Sequence, residues 1–238
     1  MLEGVTPAWL HGMFSRIAHR YDLTNVVISA GLDRVWRWRL ARRVTQHTPR
    51  DVLDVACGTG GVLMQVGRHC PAATRLVGVD FTVAMLHVGR RRLASSHTLN
   101  RMHFCAGDAQ WLPYRNSCFD AVTMMFGVRN FAAPGSGLAE CYRVLRPGGH
   151  LCLVEFAWPH ARLWRVLYGG YLRYILPLVA WPLAGEWAAY RYLRDSVLAF
   201  RPYADLTGLL HTVGFQDVSA TPLSGGIATL YEGRKPAS

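Results

Sequence analysis

The sequence predicts an α/β fold built on a doubly wound, seven-stranded, mostly parallel sheet. Short apolar runs typical of buried parallel strands alternate with helical patterns, and a glycine turn directly follows the first run. With 238 residues, the chain is long enough for one such domain with a sizeable core. Ligands of such sheets bind at the carboxyl ends of the strands. The residues that follow each strand are therefore the candidates for a site.

The first predicted strand, residues 52–56, contains an acid, Asp54, and leads into the turn with Gly58, Thr59 and Gly60. Glycines let the backbone turn sharply and approach a ligand closely. Dinucleotide-binding turns carry a third glycine, but here that place is Leu63, and Asp54 would set a carboxylate beside any phosphate. The pattern favours S-adenosylmethionine, which has no phosphate and carries an ammonium that an acid attracts.

The second and third predicted strands, residues 76–80 and 102–106, each lead to an acid. Asp80, followed by Phe81, is placed to hold the ribose of the cofactor, and Asp108 with Ala109 to contact its adenine. A glycine turn after a strand also occurs in doubly wound proteins that bind no cofactor there. The succession of acidic turns favours the cofactor.

The rest of the sheet follows in the second half of the chain. A fourth strand is predicted at residues 119–126, and residues 143–149 end a helix and lead into a fifth strand at 151–156. A helix at 204–213 precedes a reversed hairpin of residues 218–222 and 226–232. We divide the single domain into an N-terminal helical cap (1–48), a cofactor-binding core (50–158), an apolar lid or substrate segment (159–200) and the C-terminal helix and hairpin (201–238).

These motifs resemble known families. The glycine turn, Asp80, Asp108-Ala109, Leu112-Pro113 and the run 145–149 look like a class I S-adenosylmethionine-dependent methyltransferase, with its Rossmann-like fold. Narrower matches resemble the menaquinone and ubiquinone C-methyltransferases, and this resemblance runs from Met13 to Lys235. These narrower matches are the run 13–22 with Asn25, Ser29, Gly31 and Trp36, the run Phe126-Gly127-Val128-Arg129-Asn130, Glu155-Phe156, and Tyr190-Arg191-Tyr192-Leu193 with Ser196.

The resemblance implies methylation of a ring carbon of a polyprenylated quinol, either demethylmenaquinol, which we favour, or a benzoquinol precursor of ubiquinone. By position, it places Thr59, Asp80, Asp108 and Ala109 at the cofactor. It places Tyr21, Arg129 and Asn130 near the acceptor. The chain departs from the family pattern at Met125, where many relatives have a small polar residue or glycine, and at Tyr231, where a histidine is usual.

Methylation of a hydroquinone carbon requires alignment of donor and acceptor and loss of a proton from the adjacent hydroxyl. We interpret Arg129 as an electrostatic stabiliser of the phenolate that also positions a water, because a guanidinium stays protonated. Asn130 and Tyr21 would complete a polar network around it. His19 is an alternative general base, although it also fits a helix residue that only packs near the lid.

Composition favours a protein that visits a membrane surface. Charged residues make up 17% of the chain, against about 25% in typical soluble domains, and the net charge is +11. The basic residues lie near tryptophans and leucines and not in a run that would track phosphates, so we expect anionic lipid and no nucleic acid as a partner.

Residues 163–183 form the segment whose composition most strongly suggests contact with lipid. Arg165, Arg173, Pro177 and Pro182 interrupt it, whereas a membrane span needs about 20 predominantly apolar residues. It fits an interfacial cover over the site, or a helix pair packed on the sheet.

The remaining expectations concern compartment, metals and rival functions. Six cysteines without a C-x-x-C pair and the absence of a signal peptide indicate reduced thiols in the cytoplasm, at the inner face of the membrane. No histidine spacing indicates a metal site. The sequence leaves open a homodimer, a soluble aromatic or polyketide acceptor, and a non-catalytic binding module.

Overall fold

The computed structural model describes residues 5–94, 101–179, 186–200 and 206–237. Its helices are α1 (Pro7–Ile17), α2 (Tyr21–Ile28), α3 (Leu32–Thr45), α4 (Gly61–Gly67), α5 (Val83–Ala94), α6 (Pro134–Val144), α7 (Arg162–Gly170), α8 (Trp187–Ala199) and α9 (Thr207–Val213). Its strands are β1 (Asp51–Val55), β2 (Arg75–Asp80), β3 (Met102–Ala106), β4 (Phe119–Met125), β5 (Leu145–Phe156), β6 (Gln216–Leu223) and β7 (Ala228–Arg234).

The seven strands form one sheet in the order β3-β2-β1-β4-β5-β7-β6. Strands β1 to β5 pair in parallel, and β7 pairs antiparallel with both β5 and β6. The predicted seven-stranded, mostly parallel sheet with a reversed hairpin is confirmed. Because the chain crosses from β1 to β2 and later returns to β4 on the other side of β1, the order reverses beside β1, where doubly wound sheets bind ligands.

Two buried layers of side chains flank the sheet. On one face, Trp36 and Leu40 of α3 and Leu63 of α4 pack against Val52. On the other face, Leu138 of α6 and Leu210 of α9 pack against Leu53 and Val55. Successive side chains of a strand point to opposite faces, so a parallel strand covered on both sides is apolar throughout. In β1, Asp51 at the start of the strand is partly buried, whereas Asp54 is an acid in the buried part of the strand and is only 1% exposed.

Several strand ends differ from the prediction. The two hairpin strands, at Gln216–Leu223 and Ala228–Arg234, begin and end one or two residues from their predicted bounds. The first and fourth strands each end one residue early, because Ala56 (φ 54°) and Phe126 (φ 59°) adopt left-handed backbone. The fifth strand begins at Leu145, within the run predicted to be a connection. Leu145 pairs with Phe119, and the register then shifts before Ala121 pairs with His150. Gly148 (φ 79°) supplies the left-handed residue in this irregular stretch.

Helices α1, α2 and α8 cover the carboxyl edge of the central strands. Helix α1 begins at Pro7, and the side chain of Thr6 caps it by accepting a hydrogen bond from the Trp9 backbone N–H at 3.1 Å. Its buried face, with Leu10 and Met13, packs against Met85 of α5 and Tyr192 of α8. The division of the chain into cap, core, lid and hairpin stays a prediction.

The apolar arm, as we call residues 162–179, comprises α7, a π-helical turn (Tyr171–Ile175) and the helical residues that follow. Trp181, Pro182 and Leu183 of the predicted lipid segment, and the predicted start of the C-terminal helix at Ala204, lie outside the described residues. Within the described ranges, no helix is long and apolar enough to cross a membrane.

Candidate active site

Two adjoining cavities lie at the carboxyl ends of β1 and β4. The first has a volume of about 80 Å³ and the second about 120 Å³. Both are lined by Tyr21, Ala56, Gly58, Met125 and Phe126, so they lie side by side. Ala56 and Phe126 are the left-handed residues that end β1 and β4. Strained backbone of this kind often occurs at functional sites.

Asp54 reaches the first cavity from inside the sheet. Its Oδ1 accepts a hydrogen bond from the Thr123 hydroxyl at 2.7 Å, while its Oδ2 is buried without a partner among the described residues. Burial raises the pKa of this carboxyl to about 7. A buried acceptor without a donor is costly unless a ligand supplies one. The ammonium of an amino acid would do so.

The second cavity brings together Asp80, Phe81, Asp108 and Ala109. The Asp80 carboxylate accepts the backbone N–H groups of Gly58 and Thr82, each at 2.8 Å. Each oxygen keeps a second lone pair. Burial raises the pKa of Asp80. The Asp108 carboxylate accepts the Gln110 backbone N–H at 2.8 Å, and this bond shapes the turn after β3.

The glycine turn is only partly exposed to the cavities. Gly58 lines both, but Gly60 lines neither. Gly60 (φ 76°) instead precedes α4, and a Cβ there would lie 2.6 Å from the ring of Phe104. Thr59 lines the first cavity, and its hydroxyl donates to the Asp22 carboxylate of α2 at 2.7 Å. The turn therefore also anchors the N-terminal helices to the sheet.

Arg129 lies in a short 3₁₀ turn (Val128–Asn130) after β4 and is paired with Glu155 of β5. Its Nη1 donates to Glu155 Oε1 at 2.9 Å and to the Phe126 carbonyl at 2.5 Å. The arginine side chain is 7% exposed and the glutamate side chain 0%. Its Nε is buried without a partner among the described residues. The guanidinium is fixed in place and keeps an unused donor.

Three aromatic rings form a floor beside this pair. Phe126 and Phe156 stack with centroids 4.1 Å apart, and Trp36 meets both rings edge-on. The Arg129 guanidinium lies 5.0 Å from the Phe156 centroid and 5.6 Å from that of Phe126, within the range of cation–π attraction.

Tyr21 and Asn130 lie at the same place. Tyr21 lines both cavities, and burial raises the pKa of its phenol. Asn130 lines the second cavity, and its Oδ1 accepts the hydroxyl of Tyr192 of α8 at 2.7 Å. His19 is exposed between α1 and α2 and lines none of the described cavities, so the structure does not place the alternative base at the site.

A third cavity, which we call the apolar cavity, continues from the first. It has a volume of about 290 Å³ and is lined almost wholly by aliphatic and aromatic side chains. Ile28, Ser29, Trp36, Phe156 and Leu193 line both. Its far side is formed by the apolar arm, where the lining residues Trp164 and Leu167 are half exposed.

The sequence assigned no role to four residues at the site, which are Arg37, Glu155, Tyr192 and Asp22. The last three belong to the matched motifs. Asp22 bridges Thr59 to Arg92 of α5, with its Oδ2 2.5 Å from an Arg92 nitrogen. The signal for Glu155 was available, since a buried acid at the end of a strand beside β4 would face Arg129.

Comparisons with known proteins identify the family of this chain. The family model for the ubiE/COQ5 methyltransferase family matches residues 3–235. A ubiquinone/menaquinone biosynthesis C-methyltransferase UbiE of Geobacter sulfurreducens is 38% identical over 226 residues, which are 95% of this chain and 88% of that protein. A demethylmenaquinone methyltransferase of Deinococcus radiodurans is 42% identical over 94% of this chain and 91% of its own length.

The fold is also found in solved structures. One is the phosphoethanolamine N-methyltransferase 2 of Haemonchus contortus in complex with S-adenosyl-L-methionine, which aligns with a TM-score of 0.60 at 13% identity over 84% of this chain and 53% of that chain.

Proposed function

Since the chain belongs to the ubiE/COQ5 methyltransferase family, we propose that it transfers a methyl group to a ring carbon of an isoprenoid quinol, most consistently demethylmenaquinol. It is an S-adenosylmethionine-dependent C-methyltransferase of quinone biosynthesis. A prenylated benzoquinol, the precursor in ubiquinone synthesis, is the second acceptor of the same class.

The residues of the first two cavities fit the cofactor. Asp54 offers its partnerless, buried Oδ2 to the ammonium, and Asp80 offers its free lone pairs to the ribose hydroxyls. Phe81, Asp108 and Ala109 would enclose the adenine, and Gly58 allows the close approach that a Cβ would prevent. S-adenosylmethionine supplies an electrophilic methyl group on its sulfonium when it is bound.

The apolar cavity is the observation that supports an isoprenoid acceptor. A polar site needs no apolar cavity of about 290 Å³ beside it unless part of the substrate is hydrocarbon. The shared lining of Ile28, Trp36 and Leu193 would let the ring occupy the polar first cavity while the prenyl chain follows the apolar one. Burial of each methylene from water would contribute about 0.8 kcal/mol.

Arg129, Asn130 and Tyr21 would stabilise the negative charge that develops on the acceptor. The Arg129 Nε–H is free to donate to the phenolate oxygen as charge develops there, and Glu155 holds the guanidinium in position for it. Tyr21 stays protonated because burial raises its pKa, so it acts as a hydrogen-bond donor and not as a base. Asn130 is oriented by Tyr192.

The test is methyl transfer from labelled S-adenosylmethionine to reduced quinones in vesicles, with mass spectrometry of the lipid product. Demethylmenaquinol, a prenylated benzoquinol and a ring without a tail are offered in parallel. We expect the highest kcat/KM with the prenylated naphthoquinol. Equal rates with and without the tail would instead favour a soluble aromatic acceptor, and transfer to none would favour a binding module.

Val197 of α8 allows a matched pair of variants. It is 4% exposed, and of the described cavities it lines only the apolar one. Val197→Phe fills the cavity and should lower kcat/KM for the prenylated acceptor while sparing the tailless ring. Val197→Ala enlarges it and serves as the control. Equal loss on both acceptors in Val197→Phe would argue that the cavity does not hold the tail.

We further propose that the apolar arm binds a membrane surface, on the cytoplasmic side. Large apolar side chains of the arm are exposed, and they include Leu163 (70%), Val166 (67%), Tyr174 (63%) and Leu178 (76%). Arg162, Arg165 and Arg173 are exposed among them. Apolar side chains would insert between lipids while the arginines bind anionic headgroups.

Vesicle sedimentation tests this proposal. Binding should rise with the anionic lipid content and fall with salt, and Leu178→Glu should weaken it. Trp111→Glu is the control, because Trp111 is 82% exposed but lies outside the arm. The membrane role is refuted if the wild type binds vesicles of no composition, or if Leu178→Glu binds no more weakly than the control Trp111→Glu. The variant Trp181→Glu would extend the test to a residue outside the described part of the chain.

A further inference from the structure

We propose that Arg37 of α3 binds the carboxylate of the cofactor's amino-acid end. This inference rests on the proposed function and adds a cofactor-binding residue to the same site. Arg37 is not among the residues that the sequence assigned to the cofactor. The structure brings it to the glycine turn from a helix that precedes the first strand.

The Arg37 guanidinium lines the first cavity together with Asp54, Gly58 and Thr59. It lies directly on the backbone of the glycine turn, since a Cβ built on Gly61 would be 2.5 Å from its Nη1 and 2.9 Å from its Cζ. Gly61 thus leaves room for the arginine. This explains a glycine after Gly60, at a position where the backbone angle does not require one.

Two acids hold Arg37 without using all its donors. Nη2 lies 3.1 Å from Asp33 Oδ2, and Nη1 lies 3.5 Å from Asp22 Oδ1. The second contact is long, and Arg92 holds Asp22 more closely at 2.5 Å. A guanidinium has five N–H donors, and these two contacts account for at most two of them.

The charges around the first cavity match an α-amino acid. The partnerless Asp54 Oδ2 offers a negative site to an ammonium, and Arg37 offers a positive site to a carboxylate. Because the Arg37 side chain is only 17% exposed, water screens its charge less than at the surface. Asp33 is almost fully buried, and its ion pair keeps the guanidinium oriented toward the turn.

The experiment compares two ligands by calorimetric titration. One is S-adenosylmethionine, and the other is its decarboxylated analogue, which keeps the sulfonium and the amine but lacks the carboxylate. Arg37→Ala should weaken binding of S-adenosylmethionine about ten- to a hundredfold and leave binding of the analogue within about twofold. The wild type should bind S-adenosylmethionine more tightly than the analogue, and Arg37→Ala should lose most of this preference.

A second variant does not depend on removal of the arginine. Gly61→Ala places a methyl group against Nη1, so the flexible guanidinium must shift, and the same selective loss should appear in a smaller amount. Arg39→Ala is the matched control, because Arg39 is exposed on the same helix. Thermal unfolding confirms that each variant is folded.

The outcomes separate this inference from the proposed function. Equal weakening of both ligands in Arg37→Ala would make the arginine a structural residue, and unchanged binding of both would remove it from the site. Either result overturns the inference while the cofactor assignment stands. A wild-type protein that binds neither ligand overturns the cofactor assignment itself, and with it this inference.

Discussion

The raised pKa of Asp54 predicts that cofactor binding weakens at acidic pH. Burial raises the pKa of this carboxyl to about 7, and only the ionised form attracts an ammonium. If binding requires ionised Asp54, the apparent dissociation constant scales inversely with the ionised fraction. That fraction is about 3% at pH 5.5 and one half at pH 7, so affinity should rise about sixteenfold over this range.

Calorimetry of S-adenosylmethionine binding between pH 5.5 and pH 7 measures this effect. The range stays below the pKa of the ligand's own amino group, which is about 8 for an α-amine. Binding at pH 7 should also release about half a proton, detectable as a dependence of the heat on the buffer. Asp54→Asn is the reference. It retains any pH dependence of binding that comes from Asp80, whose pKa is raised as well. The reasoning is refuted if the ratio of the wild-type to the Asp54→Asn dissociation constant does not change with pH.

The remaining predictions concern stability, cofactor affinity and turnover. The pKa of Asp54 is higher in the folded state than its usual 3.8, so this group lowers the free energy of unfolding as pH rises from about 4 to about 7. The empty Asp54→Asn protein should therefore melt several degrees higher than the wild type at pH 8, and the gain should shrink toward pH 4; equal melting temperatures at pH 8 would contradict this. Asp80→Ala should weaken S-adenosylmethionine binding by about 1.5–3 kcal/mol, or about ten- to more than a hundredfold, and an unchanged titration would remove Asp80 from the site. Arg129→Ala should slow single-turnover methylation at least tenfold with cofactor affinity within about threefold, and Glu155→Gln should slow it too because it releases the guanidinium. Wild-type rates in Arg129→Ala would make Arg129 a structural residue.

The sheet could be predicted because its strands are buried on both faces. Such strands appear as continuous apolar runs, and β1, β2 and β4 were found within one residue at each end. The ends themselves could not be predicted from composition. Ala56 and Phe126 are not glycines, yet both adopt left-handed backbone, and only the surrounding structure imposes that conformation.

The cofactor residues could be predicted because they follow strands whose carboxyl ends meet at one edge. Gly60 was assigned to the same site, but it packs against Phe104 and lines neither cofactor cavity. Arg37 and Asp22 could not be assigned, since their contacts depend on how the N-terminal helices dock. No periodic pattern in the sequence indicates where the N-terminal helices dock.

The position of the apolar cavity affects how the rate would depend on substrate. Its lining includes half-exposed residues of the apolar arm. If the arm binds a membrane as proposed, an acceptor would enter and leave from the lipid side without crossing water. The effective concentration is then the number of quinol molecules per unit of bilayer area. Addition of inert phospholipid at constant total quinol would slow an enzyme that is already bound, although the bulk concentration of its substrate is unchanged.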